Sequence, residues 1–270
     1  MNARLRFIIP LVALAIAAGT SLHGAFGLDK LDINKALGAA KSLGKVAKGV
    51  AGIGPEEERV IGESVAIEII GKYGGLVRDE AISQRVNLVG RSLAHYSSRP
   101  ALDWKFGVLD SPTINGFSAP GGIVFITRGL YELVGSDDDT LAAVLAHEIS
   151  HITGRHALKI IAREEFVSGA TDLAAQRSGD VAQIQAQLSR FDGGINQIVK
   201  TILEKGFDPQ TEFAADKNGR DLSLTVGYAP GALRLMLVKL QQMSAPPTAI
   251  FSTHPPLADR IARLPADPAT

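Results

Sequence analysis

The chain contains no cysteine in its 270 residues. That absence excludes disulfides, thiolate metal sites, a cysteine nucleophile and a lipid-modified cysteine. Any metal must therefore be held by His, Asp or Glu. Net charge is missing too, with 28 Lys and Arg against 28 Asp and Glu. This excludes a broad basic surface for nucleic acid, and no nucleic-acid partner is expected. Aromatic residues make up only 6%, so core packing must rest on Ala, Leu, Ile and Val. Beyond the N-terminal segment no run is long and apolar enough to cross a bilayer. What remains, 46% hydrophobic against 21% charged residues, is a globular composition with room for one or two domains.

Arg4 and Arg6 precede an apolar run over residues 7–18, and small residues follow to Gly27. This basic, apolar, small-residue order is that of a secretory signal. Residues 1–27 read as a signal peptide cut near Gly27, with an uncleaved membrane tether as the alternative. The chain is thus expected to be exported, and periplasmic in a Gram-negative source. Residues 28–54 are rich in Gly and Lys, with Ile33, Leu37, Ala40, Gly44 and Ala47 at helical spacing. They read as a solvated linker, or as an amphipathic helix on a membrane or over the active site. The glycines weigh against the helix.

Residues 55–270 read as one catalytic domain, α+β and helix-rich. Pro55 and Glu56–Glu58 open a helix whose face is Ile61, Val65 and Ile69 and whose end is Gly74-Gly75. A second helix is expected from Asp79 to about Tyr96, with Ile82, Val86, Val89 and Leu93 inward. Residues 104–127 read as strands: Trp104, Phe106 and Val108 alternate as in a half-buried strand, Ile114–Ser118 is short, and Ile123–Thr127 follows the Pro120-Gly121-Gly122 turn. A small, mostly antiparallel sheet is expected beside the active-site helix. After Gly129 the pattern is helical, with loops near Gly193-Gly194, Gly206, Pro209 and Pro246-Pro247.

The chemistry concentrates in His147-Glu148-Ile149-Ser150-His151. Residues four apart on a helix are offset by only ~40°, so both imidazoles leave one face and can share a tetrahedral metal. Glu148 then sits where it can take a proton from metal-bound water. Ser136 and Asp139 form an S-x-x-D cap for this helix, Leu141, Leu145 and Ile152 provide an apolar stripe, and Ala143 and Gly154 leave room near the metal face. A third histidine ligand in the pattern H-E-x-x-H-x-x-G-x-x-H would fall at Ala157. His156 lies one position early and points about 100° away on a continuing helix, so it reads as a surface or helix-end residue. The remaining route is a carboxylate from a second helix. Glu212 and Asp216 are four apart: Glu212 can complete a two-His, one-Glu site, and Asp216 can accept a hydrogen bond from a ligand imidazole. His254, fixed between Thr253 and Pro255, is either a residue facing the metal site and donating to a developing oxyanion, or an ordinary loop histidine. The stretch between the ligand helices, 166–205, is a lid or a helical hairpin packed on the core.

These segments together resemble the HtpX / CAAX prenyl protease family of zinc metallopeptidases. Asn115 to Gly122 is similar to its N-A-F-x-x-P-G-G stretch, with Gly116 in place of the usual Ala. His147, Glu148 and His151 match its metal motif, Glu212 and Asp216 its E-x-x-A-D motif, and Ser252 to Arg260 its S-T-H-P…R-I segment. The resemblance covers roughly residues 56–266. It implies a gluzincin core, one Zn2+ held by His147, His151 and Glu212, Glu148 as general base and Asp216 behind the ligands. The family's multi-helix membrane portions are absent from this sequence, which places it with the soluble, exported branch. The expected activity is endoproteolysis of unfolded or misfolded envelope polypeptides. The alternative is a zinc-containing periplasmic chaperone or assembly factor that binds clients with little cleavage.

Overall fold

The computed structural model describes residues 53–160, 196–243 and 257–265. The 1–27 leader, the 28–54 segment apart from its last two residues, residues 161–195 and the Ser252–Pro256 segment carrying His254 lie outside the described residues. Among the described residues no helix is long and apolar enough to cross a membrane.

Helix α1 (Pro55–Lys72) begins on a proline, whose fixed φ suits the first helical turn. Its face of Ile61, Val65 and Ile69 is buried as the spacing predicts. The chain then turns through Gly74 and Gly75, both at positive φ. Helix α2 (Glu80–His95) is capped by Asp79, whose carboxylate accepts from the Ile82 N–H. Val86, Val89 and Leu93 line its inner face.

Three strands follow, β1 (Lys105–Leu109), β2 (Gly116–Ala119) and β3 (Ile123–Thr127), in the order β1-β3-β2. The antiparallel expectation holds for the β2–β3 pair, joined by the Pro120–Gly122 turn, while β1 runs parallel to β3. The sheet is therefore mixed. The half-buried reading of residues 104–108 is corrected as well, because β1 is covered on both faces. Phe106 and Val108, with Val124 and Ile126 of β3, pack toward α2 and the metal-motif helix. Leu109, Ile123 and Phe125 pack toward α1. A period-two pattern in a sheet with helices on both sides separates two apolar clusters instead of core from solvent.

Helix α3 (Arg128–Val134) leads to α4 (Asp138–Thr153), which carries the H-E-x-x-H motif. The cap of α4 is Asp137, not Ser136: its carboxylate accepts from the N–H groups of Asp139 and Thr140. Every residue of α4 from Thr140 to Ile152 is buried, so the helix is central and not merely amphipathic. After a π-helical turn (Thr201–Lys205) and Gly206, helix α5 (Pro209–Val226) opens at Asp208, which caps it. Pro209 thus starts a helix where the sequence pattern suggested a loop. Helices α6 (Ala232–Gln241) and α7 (Leu257–Arg263) follow, and residues 156–160 and 196–200 are also helical.

Helix α5 lies directly against α4, and Gly219 permits the approach. A methyl group there would sit 2.8 Å from the His147 backbone nitrogen and 3.0 Å from the Ala146 carbonyl carbon. Backbone atoms cannot swing aside as a flexible side chain does, so Gly219→Ala should push the two helices apart. We expect a loss of about 1–3 kcal/mol, read as a lower urea midpoint. An unchanged midpoint would show that the α4–α5 contact has slack.

Candidate metal centre

The α4–α5 contact brings the predicted ligands together. His147 and His151 present their Nε2 atoms 3.2 Å apart. Glu212 of α5 places its carboxylate oxygens 3.5 Å from His147 Nε2 and 3.6 Å from His151 Nε2. All three residues are buried. A tetrahedral ion with bonds of about 2.0–2.1 Å needs its ligand atoms about 3.3–3.4 Å apart. The two imidazole nitrogens stand at about that spacing, and each Glu212 oxygen approaches one of them at nearly the same distance. Two neutral-capable imidazoles and a carboxylate also form the donor set that a borderline-soft divalent metal prefers.

Each imidazole is held from behind, by different means. His147 Nδ1 lies 2.9 Å from Asp216 Oδ1. Arg260 of α7 in turn grips both oxygens of Asp216, at 2.8 and 2.6 Å, and is itself buried. His151 Nδ1 instead faces Nδ1 of His156 at 3.0 Å. Phe207, which follows the π-helical turn, stacks on the His151 ring with centroids 4.5 Å apart and planes at 19°. Fixing one face and the free nitrogen of a ligand ring sets its tautomer and its aim.

The reading of His156 as a surface or helix-end residue is thus overturned. It assumed that the helix continues. Helix α4 ends instead at Thr153, Gly154 caps it, and Arg155 adopts φ 54°, in the left-handed region. This turn carries His156 back over the helix end, where it is buried against His151. Gly154 is needed for the return, because a methyl group there would strike the His156 ring.

Burial alone would lower the His147 pKa, but hydrogen bonds to Asp216 and Glu212 outweigh it and raise the value to about 10 in the metal-free protein. Burial would raise the Asp216 pKa, yet the Arg260 and His147 hydrogen bonds hold its carboxyl below the usual range. His156 moves the other way: burial, reinforced by the charge of Lys159, pushes it down to about 4.

Glu148 is buried one residue beyond the first ligand and leans over β2. A methyl group on Gly116 would lie 2.6 Å from Glu148 Oε1. The space left by the missing Ala methyl is therefore occupied by the Glu148 carboxylate. A small cavity opens here, lined by Gly116, Phe117, Glu148, His151, Ile202 and Phe207. In the order β1-β3-β2, strand β2 is the sheet edge on this side, among the described residues.

The family model of Peptidase family M48 matches residues 80–267, well over half of the chain. This chain belongs to peptidase family M48. It is 28% identical over 192 residues to the beta-barrel assembly-enhancing protease of Escherichia coli K12, an alignment covering 69% of this chain and 39% of that protein. A mitochondrial metalloendopeptidase of Schizosaccharomyces pombe is 28% identical over 212 residues, 77% of this chain and 60% of its own length. A Protease HtpX homolog of Dictyoglomus thermophilum is 29% identical over 231 residues, covering 73% and 74% of the two chains. The chain therefore spans less than two thirds of the first two relatives.

As an M48 domain the structure brings His147, His151, Glu212, Asp216 and Glu148 to one place, as the motifs led one to expect, while His254 lies outside the described residues. Sequence reasoning assigned no role to Phe207 or Arg260 and misjudged His156. The Gly154-Arg155 pair was the available signal for a helix break before His156. Nothing in the local sequence marks Phe207 as a ring-stacking residue.

The raised His147 pKa makes a prediction about metal uptake. A metal ligand must be deprotonated, but at pH 8 the metal-free His147 still carries its proton. Zinc binding to the stripped protein at pH 8 should release about one proton per metal, and affinity should climb as pH rises from 6.5 toward 10. Calorimetry in two buffers of different ionisation enthalpy reads this directly. An enthalpy independent of buffer would contradict a proton-loaded His147.

Proposed function

We propose that this chain is a zinc-dependent endopeptidase that cleaves unfolded or misfolded polypeptides of the cell envelope. The observation that carries this reading is the buried triangle of His147, His151 and Glu212, with Glu148 beside it and a sheet edge alongside. Zinc, one ion per chain, would be held by these three residues and would supply Lewis acidity toward a carbonyl and a water molecule.

The protein's own groups then have separable tasks. Asp216, backed by Arg260, keeps the His147 ring in the tautomer whose Nε2 faces the site. Glu148 takes the proton from the attacking water and delivers it to the departing amine nitrogen. Its closeness to Gly116 supports this, since a peptide paired with the β2 edge would pass directly by the carboxylate. Backbone pairing reads little sequence, which suits unfolded chains, and the balanced charge adds no broad electrostatic selection. His254 donates to the oxyanion from the Ser252–Pro256 segment.

The basic, apolar, small-residue order of residues 1–27 supports export to the periplasm, with a membrane tether if the segment is retained. Residues 28–54 would then lie near the membrane surface. The relative named for enhancing beta-barrel assembly supports envelope proteins as the substrate class.

Casein cleavage and metal content together test the assignment. Glu148→Gln should retain its zinc and lose about 10²–10⁴ in kcat, whereas full activity with zinc bound would remove Glu148 as the base. Glu212→Ala should lose the metal, and tight stoichiometric retention would remove it from the ligand set. For His254→Ala, kcat should fall with zinc content intact; unaltered kinetics would make His254 a loop residue.

A further inference from the structure

A second buried charge cluster lies behind His151, centred on a residue that precedes the family-matched span. Glu58, in the first turn of α1, is completely buried. Arg99 grips both of its carboxylate oxygens, at 2.7 and 2.8 Å. Arg155 donates to Glu58 Oε2 at 3.2 Å, and the Gly121 N–H donates to Oε1 at 3.1 Å. Arg99 also reaches the Ile152 carbonyl, 3.2 Å away in the last turn of α4, and Arg155 reaches the Ile53 carbonyl. One carboxylate thus ties together α1, the turn between β2 and β3, and the end of the metal-motif helix.

Arg155 is the residue that turns the chain back after α4. It is the one non-glycine at positive φ among the described residues, a conformation that an arginine holds only under constraint from its surroundings. Its side chain supplies that constraint through Glu58. The next residue is His156, whose Nδ1 meets His151 Nδ1 at 3.0 Å. Glu58, Arg155, His151 and Phe207 line one small cavity, so the cluster and the back of the ligand ring adjoin directly.

We infer that Glu58 and Arg155 form a latch that holds His156 as the hydrogen-bond partner of His151, making all three positioning residues for the metal centre. The inference rests on the metal-site reading above. With His151 Nε2 directed at the metal, its Nδ1–H donates to the unprotonated Nδ1 of His156. Loss of the latch would free the residue 154–156 turn, and His151 would lose its aim while all three ligands stayed in the chain. Helix α1 thereby belongs to the working active site although it lies ahead of residues 80–267.

A double-mutant cycle on the full chain tests this, with zinc affinity measured by chelator competition. Glu58→Gln and His156→Leu should each weaken zinc binding about 10–100-fold. The double variant should be no weaker than the worse single one, because both act through the same bond. His156→Gln, which offers an amide oxygen to the His151 Nδ1–H, should restore most of the affinity, and the cobalt-substituted spectrum should shift in His156→Leu but not in His156→Gln. Additive losses, or wild-type zinc affinity in Glu58→Gln, overturn the latch. If Glu58→Gln does not fold, Arg155→Asn runs the same cycle, since asparagine tolerates positive φ and only the tether is cut. Long-range imidazole ¹H–¹⁵N spectra of the metal-free protein give a separate readout. There His151 signals unaltered by Glu58→Gln or Arg155→Asn overturn the latch, whatever the wild type does with zinc. Wild-type protein that binds no zinc, with the His151 signals still sensitive to the latch, would overturn the metal-site reading alone.

Discussion

Everything in this domain depends on packing α4 against α5 closely enough to put two imidazoles and a carboxylate within 3.6 Å of one another, in a place with little exposure to bulk water. Such a cluster is unfavourable in isolation. A buried carboxylate loses its hydration, and proteins tolerate that only where charge and hydrogen bonds replace the water. Glu212 and Asp216 are both buried, four residues apart on one helix face. Their compensation comes from different elements: the α4 histidines for both, and Arg260 of α7 for Asp216. Helix α7 therefore contributes to the site although it presents nothing to the metal position.

The two histidine ligands are not equivalent. His147 is backed by an ion-paired carboxylate, which pulls its proton affinity upward and fixes its tautomer electrostatically. His151 is backed directly by a second imidazole and covered by a phenyl ring, with no carboxylate at its Nδ1 among the described residues. One consequence is an asymmetric site, in which electron density is pushed onto one ligand more than the other. Another is that the two supports come from different parts of the chain: Asp216 from α5 and Arg260 from α7, Phe207 from the turn before α5 and His156 from the break after α4.

Close backbone approaches keep this arrangement rigid. Gly219 lets α5 sit on the backbone of α4 at His147, and Gly62 lets α1 sit on the Pro120 carbonyl of the β2–β3 turn. The sheet between them is apolar on both faces, so it transmits position from α1 to α4 without a solvent layer. Tight interiors of this kind have few alternative packings. The edge strand β2 and the Glu148 carboxylate therefore keep a fixed relation, with the missing methyl of Gly116 giving the carboxylate its place.

Local features were legible in the sequence wherever local physics decides them. The α1 and α2 faces, the Asp79 boundary, the α4 motif and the i, i+4 pair of Glu212 and Asp216 follow from helical periodicity and from the few residue types that hold a metal. The absence of cysteine narrowed that choice further. Features decided by distant contacts were not legible. The parallel β1–β3 pairing depends on helices covering both faces of the sheet. The Asp137 cap differs from Ser136 by one residue, a margin that local propensity does not resolve. Arg260 meets Asp216 and Phe207 meets His151 through contacts that no spacing encodes, and His156 reaches His151 only because the chain reverses at Arg155. The sequence alone determined which atoms can bind a metal; the tertiary structure decided how they are aimed, because orientation is imposed by neighbours brought in from far along the chain.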